Sequence, residues 1–343
     1  MELSTVRGSL SPEASQRWDG FIDGHPRATL YHTSRWVSFA ANVFGFEPAW
    51  LTAGLPLAGV LPLIRQTSRL FGDRWVSLPF FNYGGPLCTD EAADTRLLAS
   101  AVELARASRV PRLEIRDRKE RNDYATRSDK VGVVLALPGS VDALAELLGS
   151  KLRSQIRRAD RERPQIVTGG RELVNEFYAL FAETMRDLGT PAYPRRFFEK
   201  MFDHVGADCT ILIVRLGEDP AAGAVLTRFR DVTEIPWAAN RQKYRSAAAN
   251  MRLYWECLVH AIGTGSRSFD FGRSTRDSGT HRFKLQWGGQ TVPMYWHYPL
   301  LPAGSATDAE SGRAMTAARQ IWQHLPLPIA TRLGASFSAG LPW

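Results

Sequence analysis

Phe269-Asp-Phe-Gly-Arg-Ser-Thr-Arg-Asp-Ser-Gly-Thr-His-Arg-Phe-Lys-Leu-Gln-Trp-Gly-Gly289 is the stretch whose reading organises the rest of the chain. It opens as a strand, RSFDFG (267–272), in which Phe269 and Phe271 share one face and Asp270 points to the other. The strand stops at Gly272 and delivers Arg273 and Ser274 into a loop that contains Gly279; a short helical piece then brings Arg282, Lys284 and Trp287. Ligands gather at such strand ends, where irregular backbone exposes N–H groups and aims side chains into a cleft. Arg273, Arg282 and Lys284 are candidates to neutralise phosphate or carboxylate, and Asp270 to position an amine or to act as a base once desolvated. Equally, Asp270 can pair with Arg273 or Arg282 simply to hold the loop. Phe269, Phe271 and Phe283 read as core, and core packing is the competing account of Trp287.

Working outward, Gln165-Ile-Val-Thr168 reads as a strand closed by Gly169-Gly170. Residues 171–188 place Leu173, Phe177, Leu180, Phe181 and Leu188 at helical spacing, and a second helix follows the Thr190–Pro194 loop with Phe197, Phe198, Met201, Phe202 and Val205. CTILIVRL (209–216), AGAVLTRF (222–229) and VTEIPWAA (232–239) predict a three-strand meander. Asn250 is placed to cap a helix over 251 to 262, ended by Gly263, and TVPMYWHY (291–298) is a final strand. The first half repeats much of this: a helix over 34–44, strands in PAWLTAG (48–54), AGVLPLIRQ (58–66) and RWVSLPF (74–80), a Gly-rich loop with Asn82, Tyr83, Gly84 and Gly85, a helix near 90–107, and strands at 112–117 and 132–137. The pattern predicts two related domains, 1–140 and 164–300. Between them Val141–Arg163 reads as one long helix with a basic end, and 301–343 as a tail with one helix near 313–324. That tail is a packing strap or a weak membrane-surface contact, and apolar tails dock more often than they insert.

The chain has 343 residues, 44% of them apolar and 23% charged, which suits a folded two-domain protein. Its 43 Lys and Arg against 35 Asp and Glu leave a formal charge of +8 and imply an anionic partner. Three scattered cysteines without CxxC spacing argue against a disulfide scaffold or a zinc site. The seven histidines lack metal-ligand spacing, and no GxSxG, HExxH, Walker loop or strand-to-helix GxGxxG occurs, so metal, hydrolase and dinucleotide chemistries lose most of their weight. The polar opening residues do not read as a signal peptide, and the longest apolar run, Leu51–Ile64, is short and broken by Pro56 and Pro62. The expectation is a cytoplasmic protein, with the inner face of the membrane as a peripheral location.

Two further clusters carry charge. Lys151 and Arg158 stand seven apart, and Arg153, Arg157 and Arg161 four apart. Like charges at that spacing destabilise an isolated helix, so their counterpart is either an external anion or the neighbouring Asp160 and Glu162. The loop GTPAYPRRF offers Tyr193, Arg195 and Arg196 as ligand contacts, or else is a Pro-bounded turn with a solvated Arg pair.

The segment FDFGRS…GT…RFKLQWG, together with YHTSRW (31–36), LPFFNYGGPL (78–87), KLRSQIRRADR (151–161), FAETMRDLGTPAYPRRFFEKM (181–201) and NMRLYWECLVHAI (250–262), resembles the FemAB-like family, in particular the branch found with bacterial exopolysaccharide and PEP-CTERM exosortase systems. The likeness spans roughly 25–300. It implies an α+β fold of two tandem N-acetyltransferase-like (GNAT) domains, each a mixed, mainly antiparallel sheet flanked by helices. It also implies acyl transfer, in its better-known form from aminoacyl-tRNA to an amine of a peptidoglycan precursor, and in relatives to exopolysaccharide or protein amines. The co-substrate would be aminoacyl-tRNA or acyl-coenzyme A, with no permanently bound cofactor. On this resemblance Lys151, Arg153 and Arg157 would meet nucleotide or tRNA phosphates, and Asn240, Tyr244, Arg245 and Asn250 would line the donor site. Tyr193 and Arg195 would overhang the acceptor. Asp270, Arg273 and Lys284 would act at the reacting centre, with Ser274, Arg282 and Trp287 beside them, and N–H groups of the diverging strands near 236–240 and 269–272 would hold the oxyanion.

Acetyltransferases wrap the coenzyme A pyrophosphate with a Gln/Arg-x-x-Gly-x-Gly/Ala loop at a helix N-terminus. In RQKYRSAAANM (241–251), Ala247–Ala249 replace the glycines, and alanine disfavours the positive φ that such wrapping can need. This weighs against coenzyme A. The short 188–209 interval has no room for the coiled-coil insertion of some FemAB proteins, which weighs against tRNA. A non-catalytic anion-binding module of an envelope polysaccharide system is the third reading.

Overall fold

The computed structural model describes residues 2–68, 71–305 and 313–341. The chain divides into two compact units, Met1–Lys130 with Pro293–Ala309 and Ala339–Trp343, and Val131–Val292 with Glu310–Ser338. In chain order the elements are β1 (Leu3–Arg7), α1 (Pro12–Gly24), α2 (Ser34–Asn42), β2 (Glu47–Ala53), β3 (Gly59–Gln66), β4 (Arg74–Val76), β5 (Leu87–Cys88), α3 (Glu91–Ala107), β6 (Arg112–Asp117), β7 (Tyr124–Arg127) and β8 (Lys130–Ala136). They continue with α4 (Val141–Leu147), α5 (Ser150–Asp160), β9 (Gln165–Gly169), α6 (Val174–Asp187), α7 (Arg195–Val205), β10 (Cys209–Leu216), β11 (Asp219–Phe229), β12 (Val232–Asn240) and α8 (Ala249–Gly263). Last come β13 (Ser268–Thr275), α9 (Gly279–Leu285), β14 (Gln290–Pro293), β15 (Tyr295–Pro302), α10 (Arg313–Gln323) and α11 (Leu327–Phe337).

The first sheet runs β1-β2-β3-β4-β6-β15-β7, with β5 on β3. Its pairs are antiparallel except β4 with β6. Asp90 starts α3 by accepting from Ala93 N, as an N-cap does. The helix presents Ala93, Leu97, Leu98, Ala101 and Ala105 to Leu51, Leu61, Leu63, Trp75 and Leu113 of the sheet. The glycines of the 81–86 loop serve this unit's own packing: a Cβ on Gly84 would lie 2.4 Å from Ser77 O, and one on Gly85 2.9 Å from Arg116 O.

The second sheet runs β14-β8-β13-β12-β11-β10-β9. Alternation along β11 covers both faces. Ala222, Ala224 and Leu226 join the cluster built on Leu253, Tyr254, Cys257 and Leu258 of α8. Gly223 turns the other way, where a Cβ would meet Leu180 of α6 at 3.0 Å. The architecture is thus α+β, two mixed and mainly antiparallel sheets flanked by helices.

Several elements depart from the sequence reading. The connecting helix is two helices, α4 and α5, because Leu148 turns extended to bury its side chain and Gly149 becomes the N-cap of the second. TVPMYWHY is two strands, β14 and β15, and they belong to different sheets. The boundaries at 140 and 300 therefore require correction: β8 lies in the second sheet and β15 in the first. An alternating run specifies which residues face a core but not which neighbour it pairs with. The tail likewise carries two helices, since Pro326 and Pro328 punctuate it without preventing α11, with Pro328 in the helix's first turn.

Candidate active site

Strands β12 and β13 run parallel but pair only at Val232↔Ser268, Thr233↔Phe269 and Glu234↔Asp270. Both chains then lose the ability to continue the ladder. Pro236 has no N–H, and the β11–β12 register slips beside it, between Val225 and Thr227. Opposite, Gly272 takes φ 70°. Beyond this point β12 follows β11 to Asn240 while β13 runs on to Thr275, so the ladder between them opens toward the carboxyl ends of both strands.

Glu234 and Asp270 are buried at the base of the opening. Asp270 Oδ1 accepts from Gly272 N at 2.8 Å. Lys284 reaches in from α9, 5% exposed, and its Nζ donates to Gly272 O at 3.1 Å and Arg273 O at 2.8 Å. Gly272 is thereby held at its N–H and its carbonyl by two side chains. Burial pushes the Lys284 ammonium down to about 8, although Asp270 and Glu234 work in the opposite direction. A charged Lys has three N–H donors, so one remains after the two carbonyls. Next along β13, Ser274 is buried and its Oγ has no hydrogen-bond partner among the described residues.

The placement of Lys284 follows from how α9 is fastened. Ser278 Oγ accepts from His281 N at 3.1 Å, and the buried His281 ring contacts Asp277 N and Thr291 Oγ1. Trp287 is fully buried, stacked 6.0 Å from Tyr254. Arg282 faces outward and donates to Asp277 O at 2.6 Å. Phe269 and Phe271 are core, as their alternation implies.

A second feature lies at the start of α8. Ala248 is its N-cap and adopts φ 56°, ψ 30°, a left-handed conformation costing an L-residue about 1–2 kcal/mol. The alanines therefore do not prevent the positive φ that the sequence argues against. Asn250 is not the cap but the second helical residue. Met251 N and Arg252 N both reach Ala248 O, and Ala249 N and Asn250 N, in the first turn, have no acceptor within the helix. Before the helix, Tyr244 Oη donates to Asp219 at 2.7 Å and Arg241 pairs with Glu183 at 3.0 Å. Arg245 is exposed. The backbone of Asn240 is engaged by Thr184, whose Oγ1 accepts from its N and donates to its O at 3.1 Å each.

Residues 150–285 match the acetyltransferase (GNAT) domain. The chain thus carries an acyltransferase domain of GNAT type, and both features just described lie inside it. Among solved structures the chain is similar to FemX, at 15% identity over 87% of this chain and 97% of that one, with a TM-score of 0.64. It is also similar to L-PGS from Bacillus licheniformis, at 13% identity over 93% and 99% with a TM-score of 0.58. A third likeness is to a tandem GNAT protein from the clavulanic acid biosynthesis pathway, at 14% identity over 89% and 100% with a TM-score of 0.52. At these identities the likeness establishes the tandem GNAT fold. Nothing among curated proteins matches the chain.

Within the GNAT domain, the structure gathers Asp270, Arg273, Ser274 and Lys284 at the strand opening, with Arg273 half-buried. The basic residues lie on α5, which packs beside α8 and is tied to it by the Arg252–Asp160 ion pair. Lys151 and Arg157 are exposed there, whereas Arg153 donates to Ala145 O and Leu148 O and so closes the carboxyl end of α4. Tyr193 is buried, stacked 4.6 Å from Phe197. Arg195 is exposed and pairs with Glu199 at 3.0 Å.

The sequence reading missed Glu234, Pro236 and Thr184. Pro236, a proline inside a strand-like run, was the available signal for where the ladder breaks. The breakdown of the oxyanion candidates is also informative: Pro236 has no N–H, Gly272 N is held by Asp270, and Asn240 N by Thr184. Among the described residues no group of three or more His, Cys, Asp or Glu is placed to hold a metal ion.

Proposed function

We propose that the protein is an aminoacyltransferase of FemAB type, moving an aminoacyl group from aminoacyl-tRNA to an amine of a cell-envelope or peptidoglycan precursor, in the manner of the branch associated with exopolysaccharide and PEP-CTERM exosortase systems. The observation that carries the reading is the opening between β12 and β13, locked by Asp270 and Lys284 around Gly272. The donor's ester carbonyl lies in this opening. The acceptor amine attacks it, forming the C–N bond and an oxyanion that faces the third N–H of Lys284 and the unpartnered Ser274 hydroxyl. As the C–O bond breaks, the leaving ribose oxygen takes a proton from Lys284, and the proton released by the amine returns to it. A lysine whose pKa lies near 8 is suited to both transfers. Asp270 is a positioning residue that holds Gly272 N. Arg273, and Lys151 and Arg157 on α5, supply positive charge to the donor's phosphates, while Tyr244, Arg245 and Asn250 border them. Arg195 faces the acceptor.

A specific observation supports a second donor. The left-handed Ala248 and the N–H groups of Ala249 and Asn250, which have no acceptor within the helix, resemble the kind of helix start that holds the coenzyme A pyrophosphate. Thermal unfolding of the protein with coenzyme A and with charged tRNA separates the two, since a ligand that binds only the folded state raises the midpoint. A rise with charged tRNA and none with coenzyme A is expected. The reverse result replaces the aminoacyl reading with acyl-coenzyme A-dependent transfer to exopolysaccharide or protein, and no rise with either leaves only the anion-binding module.

A further inference from the structure

The tail helices pack on one side and leave another side apolar and bare. On the packed flank of α11, Ala330 and Gly334 are buried, and a Cβ on Gly334 would lie 2.9 Å from Ala192 N and O. Gln323 of α10 donates to Asp187 O at 3.0 Å, at the end of α6. Along the adjoining flank of α11 stand Ile329, Leu333 and Phe337 at four-residue steps, 49%, 38% and 40% exposed. Ile321 of α10 and Leu188, next to the α10 contact, are more exposed still, at 67% and 57%. From 311 to 343 the sequence contains Arg313, Arg319 and Arg332 and not one Asp or Glu.

We propose that α11, with α10, is a surface anchor for an anionic lipid bilayer. An apolar arc on helices that carry arginine and no carboxylate of their own is complementary to acidic headgroups above an acyl boundary, into which such helices insert shallowly. No helix among the described residues is long and apolar enough to cross a membrane, so the contact lies in the interfacial plane. A second copy fits less well: a symmetric contact made by these helices alone would bring their arginines together with no carboxylate of the helices to offset the charge. The inference stands on the tail alone and does not depend on the chemistry at Lys284.

The test is flotation of the full chain with vesicles of phosphatidylcholine alone and of phosphatidylcholine mixed with phosphatidylglycerol. Binding to the mixed vesicles, weakened by salt and nearly absent from phosphatidylcholine, is expected. Leu333→Glu should lower that binding about tenfold or more, because it places a carboxylate in the apolar arc. Arg332→Gln should weaken it less and reduce its salt dependence. An unchanged thermal midpoint for both variants shows that they fold. Failure of the unmodified chain to float with mixed vesicles overturns the proposal. So does binding that Leu333→Glu leaves intact, or a dimer in solution that Leu333→Glu dissociates.

Discussion

In the proposed reaction Lys284 carries the chemistry, and its environment makes two measurable statements. Its pKa in the folded chain, about 8, lies below its usual value of 10.5. Between those values the unfolded chain binds more protons than the folded one, so stability gains from Lys284 as pH rises through that window. Thermal midpoints of the parent protein and Lys284→Met, compared from pH 7 to 10.5, should therefore shift in favour of the parent as pH rises. An unchanging gap would show that the lysine is not desolvated. In activity, Lys284→Met should cost about a hundredfold in kcat, the scale of losing one donor to an oxyanion. The parent's rate should fall above pH 8 as the ammonium is lost. Ser274→Ala should lower kcat without destabilising the fold, because no protein partner is removed. The residue types at this site were legible in the sequence, but their separate tasks were not. Asp270 and Lys284 are fourteen positions apart, and only the turn of α9 shows that both act on Gly272.

At the scale of elements, the opening between β12 and β13 and the start of α8 form the proposed donor side. The meander, α6, α7 and the Phe269/Phe271 strand were readable because each buries one regular stripe or alternating face. The break in the connecting helix was not, since Leu148 leaves the helix in order to reach a core that local spacing does not reveal. Ala248 shows the same limit. Its intrinsic preference opposes the left-handed region, yet it starts α8 in that conformation, after a loop anchored by Arg241 and Tyr244. Ala248→Gly should then stabilise the protein by about 1 kcal/mol, because glycine removes the strain and its looser unfolded state offsets part of the gain. A lowered midpoint would mean that the alanine methyl contributes packing exceeding that strain. On α5, Arg157→Glu should weaken binding of charged tRNA and flatten its salt dependence. Arg153→Glu should instead unsettle the carboxyl end of α4, visible as a lower midpoint.

For the whole molecule, chain order and spatial order part company at β8 and β15. Because β15 lies between β6 and β7, a fragment ending at residue 140 leaves both strands without their neighbour and carries β8 with no sheet to join. Such a fragment should fail to give a cooperative thermal transition, whereas the full chain gives one. A well-folded fragment would show that the first sheet does not need β15. The amino-acid sequence by itself determined the order of helices and strands, the two-fold repetition and the residue types of the candidate site, since burial periodicity and chemical function are written residue by residue; the α+β class came from the family resemblance. Only the tertiary structure decided which strands pair, where the ladder opens and which groups converge on Gly272. Those outcomes depend on contacts between residues far apart in the chain, for which local pattern carries no register.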